Sequence, residues 1–389
     1  MNNFGTLVRY ELRKILGKKS SIIAILVFFL VSIYIFISPV SYTYSEIDIS
    51  NARSFSGQEL NSSLIEEAVN AYQQVPIDGN VNSYETDEYQ QIARRYSPII
   101  ATISPAYFTS RSGSIAEIQN IDPTIYYELR NESVAKRIES IETDIEAQSF
   151  LLNENEKIET PFTFHNTTGY MYFLGNLLMV GVLAYFLITF LLSPIFAGEY
   201  GKTDDVILSS KNGKKSFIFA KILTSFIITF GVFAFICLTI YFGCMFVYGF
   251  DGFNAPIQLL YMESPYALTI GQTAFFSMLV ILSLLLLSTT LNIFLSAKFK
   301  STLAIMGIMV GLGLGTQILN VPIETGILYK IFLLIPGNSI SFLEVIDTMC
   351  YKVGSVVLPQ YMFIPIFVLI IVLLAIPLIY KTFRNHQVG

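Results

Sequence analysis

Charge is scarce in this sequence: only 14% of its 389 residues are Asp, Glu, Lys or Arg, where a soluble domain carries about 25%. So little charge cannot cover a water-facing surface of this size, which excludes a long soluble enzyme. A hydrophobic content of 53% and a mean hydropathy of +0.57 exclude a disordered or fibrous chain. Cysteine is nearly absent, and Cys237, Cys244 and Cys350 form neither a disulfide framework nor a metal-ligand spacing. The two histidines, His165 and His386, stand at segment ends, too few and too distant for a zinc site. A Ser-His-Asp grouping around either would have to reach across a membrane. No catalytic residue, metal ligand or cofactor-binding residue is therefore assigned, and no nucleic-acid partner is implied.

Six stretches lack charge altogether: 20–45, 160–198, 222–250, 264–297, 301–323 and 353–380. A bilayer core of about 30 Å needs ~20 apolar residues in a helix, so each stretch can hold one crossing. The expected helices lie near 21–40, 170–195, 219–247, 269–296, 302–320 and 361–380. The shorter gap at 331–343 reads as interfacial or re-entrant, and 96–110, with Pro98 and Pro105, reads as a loop. Fourteen basic residues flank the spans on one side against Lys330 and Lys352 on the other, which makes both termini cytoplasmic. The spans themselves offer only neutral polar groups such as Asn176, Asn292 and Gln317. Ion-driven carriers place charge there, so energy for any transport would come from another subunit. The fold class expected is an all-α integral membrane protein of six transmembrane helices.

The net charge of −5 conceals a division. Residues 41–168, between the first two spans, carry 8 basic and 20 acidic residues, a balance of −12, which leaves +7 elsewhere. This segment is long enough for an extracellular domain, and it reads as mostly helical. Ser56 with Glu59 suggests a capping box before Leu60, Leu64, Ile65 and Val69. Asp122-Pro123 suggests the start of a helix carrying Ile125, Leu129, Val134, Ile138, Ile141, Ile145 and Leu152. Residues 1–20 read as a cytoplasmic interfacial helix, because Phe4, Leu7, Val8, Leu12, Ile15 and Leu16 recur at helical spacing between Arg9, Arg13 and Lys14. Residues 196–203, FAGEYGKT, end like a phosphate-binding loop. Phe196 stands where that motif needs Gly, and a membrane helix where it needs a strand, so no nucleotide site follows.

Charge reappears most densely in the loop 196–216, within SPIFAGEYGKTDDVILSSKNGKKSFIFAKI. Glu199 leaves the membrane, Gly201, Lys202 and Thr203 form a turn, and Asp204 and Asp205 precede an apolar Val206-Ile207-Leu208 face. Lys214, Lys215 and Lys221 lead into the third span. This pattern resembles the ABC-2-type permeases, the membrane subunits of ABC exporters, in the subset with a large extracellular segment between the first two spans. Two departures stand out: Gly201 and Thr203 lie closer to Glu199 than in the family pattern, and Lys211 replaces its proline.

The resemblance implies that this loop is a coupling helix docking on a separate ABC ATPase dimer, which would hold ATP and Mg. This chain would be a transport subunit and not an enzyme. It also implies a second permease copy or paralogue, and residence in a bacterial plasma membrane. The implied cargo is amphipathic: an antimicrobial peptide, a lipopeptide or a lipid. Two alternatives are efflux of sodium or another monovalent cation, and a membrane-anchored sensor without transport. Gly307, Gly311 and Gly315 in span five form a small-residue face suited to close helix packing, within the chain or across a dimer. Residues 322–352, broken at Pro336, Gly337 and Asn338, resemble the family's outer re-entrant hairpin. An outer gate and a surface-lying hairpin both remain open for it. The second unit, 169–389, would then hold spans two to six, the coupling loop and this hairpin.

Overall fold

The computed structural model describes residues 3–40, 46–77, 82–108, 113–200, 213–319, 321–335 and 349–384. Among them the chain is helical apart from one two-stranded hairpin and its connections. Long apolar helices make it a membrane-embedded protein with a polar helical domain at one end.

Helix α1 (Asn3–Leu16) buries Val8, Glu11 and Ile15 on one face and exposes Phe4, Arg9, Tyr10 and Arg13. Gly17 N–H closes it on the Arg13 carbonyl at 2.8 Å, and the chain then turns by 70° into α2 (Lys19–Val40). The remaining long helices are α10 (Thr168–Leu192), extended by the short α11 (Pro194–Ala197), α12 (Gly213–Tyr248), α13 (Ile270–Lys298) and α16 (Gln360–Arg384). Each begins within about six residues of its expected start. α13 sits centrally and packs on α10, α12 and, most extensively, α16. Some polar groups bond across these helices. Asn292 donates to the Thr189 carbonyl at 3.2 Å, Ser296 to the Ser193 carbonyl at 2.8 Å, and the Thr229 and Thr289 hydroxyls meet at 2.6 Å.

Among the described residues four helices are long and apolar enough to cross a membrane, or five if α1 and α2 count as one bent span. The helix at the fifth expected crossing, α14 (Thr302–Ile318), has 17 residues, about 25 Å of helix against a core of about 30 Å. Its ends are fixed locally: the Ser301 side chain caps it through Ala304 N–H, and Pro322 follows it.

The polar domain contains α3 (Glu46–Ser54), α4 (Ser62–Gln73), α5 (Asp87–Gln91), α6 (Ser97–Tyr107), α7 (Ile115–Ile118), α8 (Tyr126–Ile141) and α9 (Ile145–Glu156). Leu60, Leu64, Ile65 and Val69 are buried as their spacing suggests. Their helix, however, is capped by Asn61 on Leu64 N–H rather than by a Ser56–Glu59 box. The box forms instead at Ser114 and Glu117. Residues 97–107 are helix, not loop, since Pro98 takes the first turn, where no N–H is needed, and Pro105 lies near the end. Asp122 turns the chain locally, accepting from Thr124, and α8 begins only at Tyr126. The single helix expected through Leu152 breaks at 142–144, where Asp144 caps α9 on Glu146 and Ala147 N–H. The new helix has a new phase: Ala147 and Leu151 face the core, while Ile145 is 78% exposed.

The stretches entering α4 and leaving α9 pair through an isolated bridge. Leu60 N–H bonds the Phe162 carbonyl, Gly57 N–H the Phe164 carbonyl, and Phe164 N–H the Gln58 carbonyl, at 2.7–2.8 Å. Arginines fasten the domain to the connection between α12 and α13. Arg53 pairs with Asp251 and Arg137 with Glu263. Arg130, 1% exposed, donates to the Met262 and Ser264 carbonyls at 3.1 and 2.9 Å and to Asn131 and Asn155.

Candidate functional site

The densest buried ionic cluster among the described residues sits at the opposite end of the bundle, where three elements meet. α1 contributes Glu11 and Lys14, one turn apart on the same face. The turn after α11 contributes Glu199, and the third turn of α12 contributes Lys221. Lys221 is fully buried, and Glu11 and Glu199 are 1% and 4% exposed. An ammonium has three N–H donors, and Lys221 uses all of them: Glu11 Oε2 at 2.9 Å, Glu199 Oε1 at 3.0 Å and the Ile195 carbonyl at 2.7 Å. Lys14 reaches the same Glu199 oxygen from the half-exposed side. The Phe217 ring lies 4.6 Å from the Lys221 nitrogen, a cation–π contact that further excludes water.

The turn carrying Glu199 is gripped from other sides as well. Phe196 and Ala197 N–H both donate to Ser296 Oγ at 3.0 Å, and Tyr200 donates to the Ala297 carbonyl at 2.6 Å, fixing the turn to the end of α13. Phe196 and Tyr200 also pack their rings on Phe383 of α16. Two carboxylates and two ammoniums balance in charge, and the cluster presents no nucleophile. Its chemistry is that of a joint: it resists separation of α1, α12 and the end of α10. Removing one partner of a buried pair costs about 3–5 kcal/mol, because the other charge stays buried.

Sequence reasoning singled out Glu199 and Lys221, and the structure brings these two together. Lys215 is exposed, and Lys214 opens α12. Gly201, Lys202, Asp204, Asp205 and Leu208, like Pro336, Gly337 and Asn338, lie outside the described residues. Gly307, Gly311 and Gly315 lie on α14, and a Cβ at any of them would meet nothing within 4 Å. Among the described residues no atom packs at these three positions. The close approach falls on Gly313, where a Cβ would stand 2.6 Å from the Tyr185 ring. Lys221, expected at the root of the third span, lies in the third turn of α12, which starts before the charge-free run. Glu11 was missed, although it carried a signal. It is the one acidic residue among the first nineteen and falls between Val8 and Ile15 on the apolar face.

Among the described residues no group of three or more His, Cys, Asp or Glu could hold a metal ion, and the three cysteines are buried thiols. The chain matches no family model, no curated protein and no solved structure.

Proposed function

We propose that the chain is the membrane subunit of an ATP-driven exporter resembling the ABC-2-type permeases, with both termini cytoplasmic and the 46–167 domain outside the cell. The ionic cluster around Lys221 carries this reading. The loop that leaves at Glu199 and returns through the first turns of α12 is pinned at both ends by one lysine. A push on that loop from a closing ATPase dimer therefore loads α1, α10 and α12 together, as rigid-body transmission requires. ATP and Mg belong to the partner, and this chain hydrolyses nothing. The open glycine face of α14 is the surface offered to a second permease copy. A bundle rich in Phe and Tyr, 32 and 23 in the chain, suits an amphipathic cargo: peptide, lipopeptide or lipid.

The test is purification of the native complex in mild detergent. The expected result is a co-purifying ATPase whose turnover rises with amphipathic peptides or lipids. Stimulation by sodium alone would reassign the cargo to a monovalent cation. A complex without any nucleotide-hydrolysing partner would overturn the proposal.

A further inference from the structure

Helix α1 has two dissimilar faces. Val8, Glu11 and Ile15 turn toward the bundle, and Glu11 enters the ionic joint there with Lys14 at the edge of the same face. On the opposite side Arg9 and Arg13 stand one turn apart, both exposed, with Tyr10 and Leu16 exposed beside them. The elbow into α2 adds Lys18 and Lys19, exposed as well. None of these four cations pairs with a carboxylate among the described residues. At this end of the bundle the described carboxylates are Glu11 and Glu199, and both already pair with lysines inside the joint. The surface around the joint is therefore cationic without a counter-charge among the described residues.

The height of these cations relative to a bilayer follows from α2, which leaves α1 at 70°. Within one turn of Lys19 the exposed side chains become apolar: Ile22 and Ile23 are 51% and 61% exposed, and Leu26 and Val27 follow. One turn is about 5 Å of helix, so Lys18 and Lys19 stand where hydrocarbon gives way to headgroups. A helix at that level with cations and an aromatic ring on its free face suits a negatively charged leaflet. An acidic protein could match the charges but not the isoleucines beside them. A phospholipid matches both, with its phosphate on the cations and its acyl chain on α2.

We infer that the free face of α1 and its elbow form a site for anionic phospholipid headgroups, and that an occupied site holds α1 in place so that Glu11 and Lys14 stay in the joint. The two faces interleave along 14 residues of one helix, so an ordering contact on Arg9 and Arg13 reaches Glu11 and Lys14 directly. The contact requires only that the chain be membrane-embedded and stands apart from the ATPase reading.

The experiment titrates the full chain in neutral detergent with dioleoylphosphatidylglycerol, dioleoylphosphatidylcholine or inorganic phosphate and follows thermal melting. Phosphatidylglycerol is expected to raise the melting temperature, and the other two to leave it near the lipid-free value. The combined variant Arg9→Gln, Arg13→Gln, Lys18→Gln and Lys19→Gln, altered only at exposed positions, is expected to need about tenfold more phosphatidylglycerol for the same rise. Lys136→Gln with Lys157→Gln, exposed on the polar domain, should respond as wild type. In nanodiscs of the two lipids, hydrogen exchange of the α1 amides should be slower in phosphatidylglycerol, with the polar domain unchanged. Equal melting shifts from both lipids would leave the cationic face to an acidic protein and overturn the site. Inorganic phosphate acting as well as phosphatidylglycerol would make it a free-anion site and overturn the leaflet contact. A polar-domain variant as impaired as the α1 variant would reduce the response to bulk charge, and α1 amides exchanging alike in both lipids would remove the hold on the joint.

Discussion

The two ends of the bundle bury ion pairs in opposite ways. Around Lys221 the cation is saturated while Glu11 is not: both carboxylates pair with lysines, and Glu11 Oε1 has no hydrogen-bond partner among the described residues. Around Glu142 the anion is saturated, by one lysine and two backbone N–H groups, while Lys330 keeps 15% of its side chain exposed. The difference lies in what each lysine stands on. Lys221 stands on a 36-residue helix packed on α1, α10 and α13, so its pairs cannot part without moving the bundle. Lys330 stands on a seven-residue helix, α15 (Ile327–Leu333), with one buried side chain, and its pair ties that short helix to the polar domain. One buried pair thus joins long helices of the bundle to one another, and the other joins the domain to a short connection. Arg130 is a third case, a buried cation held by neutral oxygens at fixed positions.

Substitutions can break this contrast in graded steps. The largest effect is expected from Lys221→Met, which leaves Glu11 and Glu199 buried without their shared cation. The loss should be about 3–5 kcal/mol, read as a lowered melting temperature in detergent, and adding Glu11→Gln should recover part of it. A melting temperature equal to wild type would remove the joint. Next comes Arg130→Met, which strips donors from the Met262 and Ser264 carbonyls. About 2–3 kcal/mol should appear as faster proteolysis of the 46–167 domain, with the joint at the other end unaffected.

A smaller effect concerns Asp144, the cap of α9. Bonds from Ala147 and Glu146 N–H hold its carboxyl below the ordinary carboxylate value. A group depressed in the folded state contributes its stability above the unfolded pKa of about 3.9 and loses it as pH falls through the folded value. Hydrogen exchange of the α9 amides should therefore quicken on acidification below about pH 4. At neutral pH, Asp144→Ala should cost about 1 kcal/mol and abolish that acid step. The smallest effect is expected from Gly311→Leu. With nothing within 4 Å of its Cβ, the isolated chain should melt unchanged. A reduced dimer fraction in crosslinking would then assign the face to a second copy.

Much of the helical framework was legible because long apolar runs have few alternatives: the expected starts of α2, α10, α12, α13 and α16 all fall within a few residues. Local chemistry misled where two signals competed. Ser56–Glu59 fits a capping box as well as Asn61 fits a cap, and only packing of Leu64 and Ile65 selects between them. Prolines at 98 and 105 read as breakers, yet Pro98 occupies the first turn, which tolerates it, and Pro105 lies inside the helix only two residues before its end. The hairpin at 350–359 is too short for an alternating pattern to register, and it surfaces only through its pairing. For the candidate site, charge flanking the spans pointed to Glu199 and Lys221. Lys330 counted there only as a topology marker, because its partner Glu142 lies 188 residues away in sequence.

The paired stretches at the root of the domain have one more consequence. Gln58 and Leu60 are hydrogen-bonded directly to Phe164 and Phe162, so the stretches entering α4 and leaving α9 stay about 5 Å apart. A bridge of a few residues could close that gap, which gives the domain the geometry of an interchangeable cassette plugged into a socket. Only Arg53, Arg130 and Arg137 then need to keep their partners in the connection between α12 and α13 for the domain to stay seated.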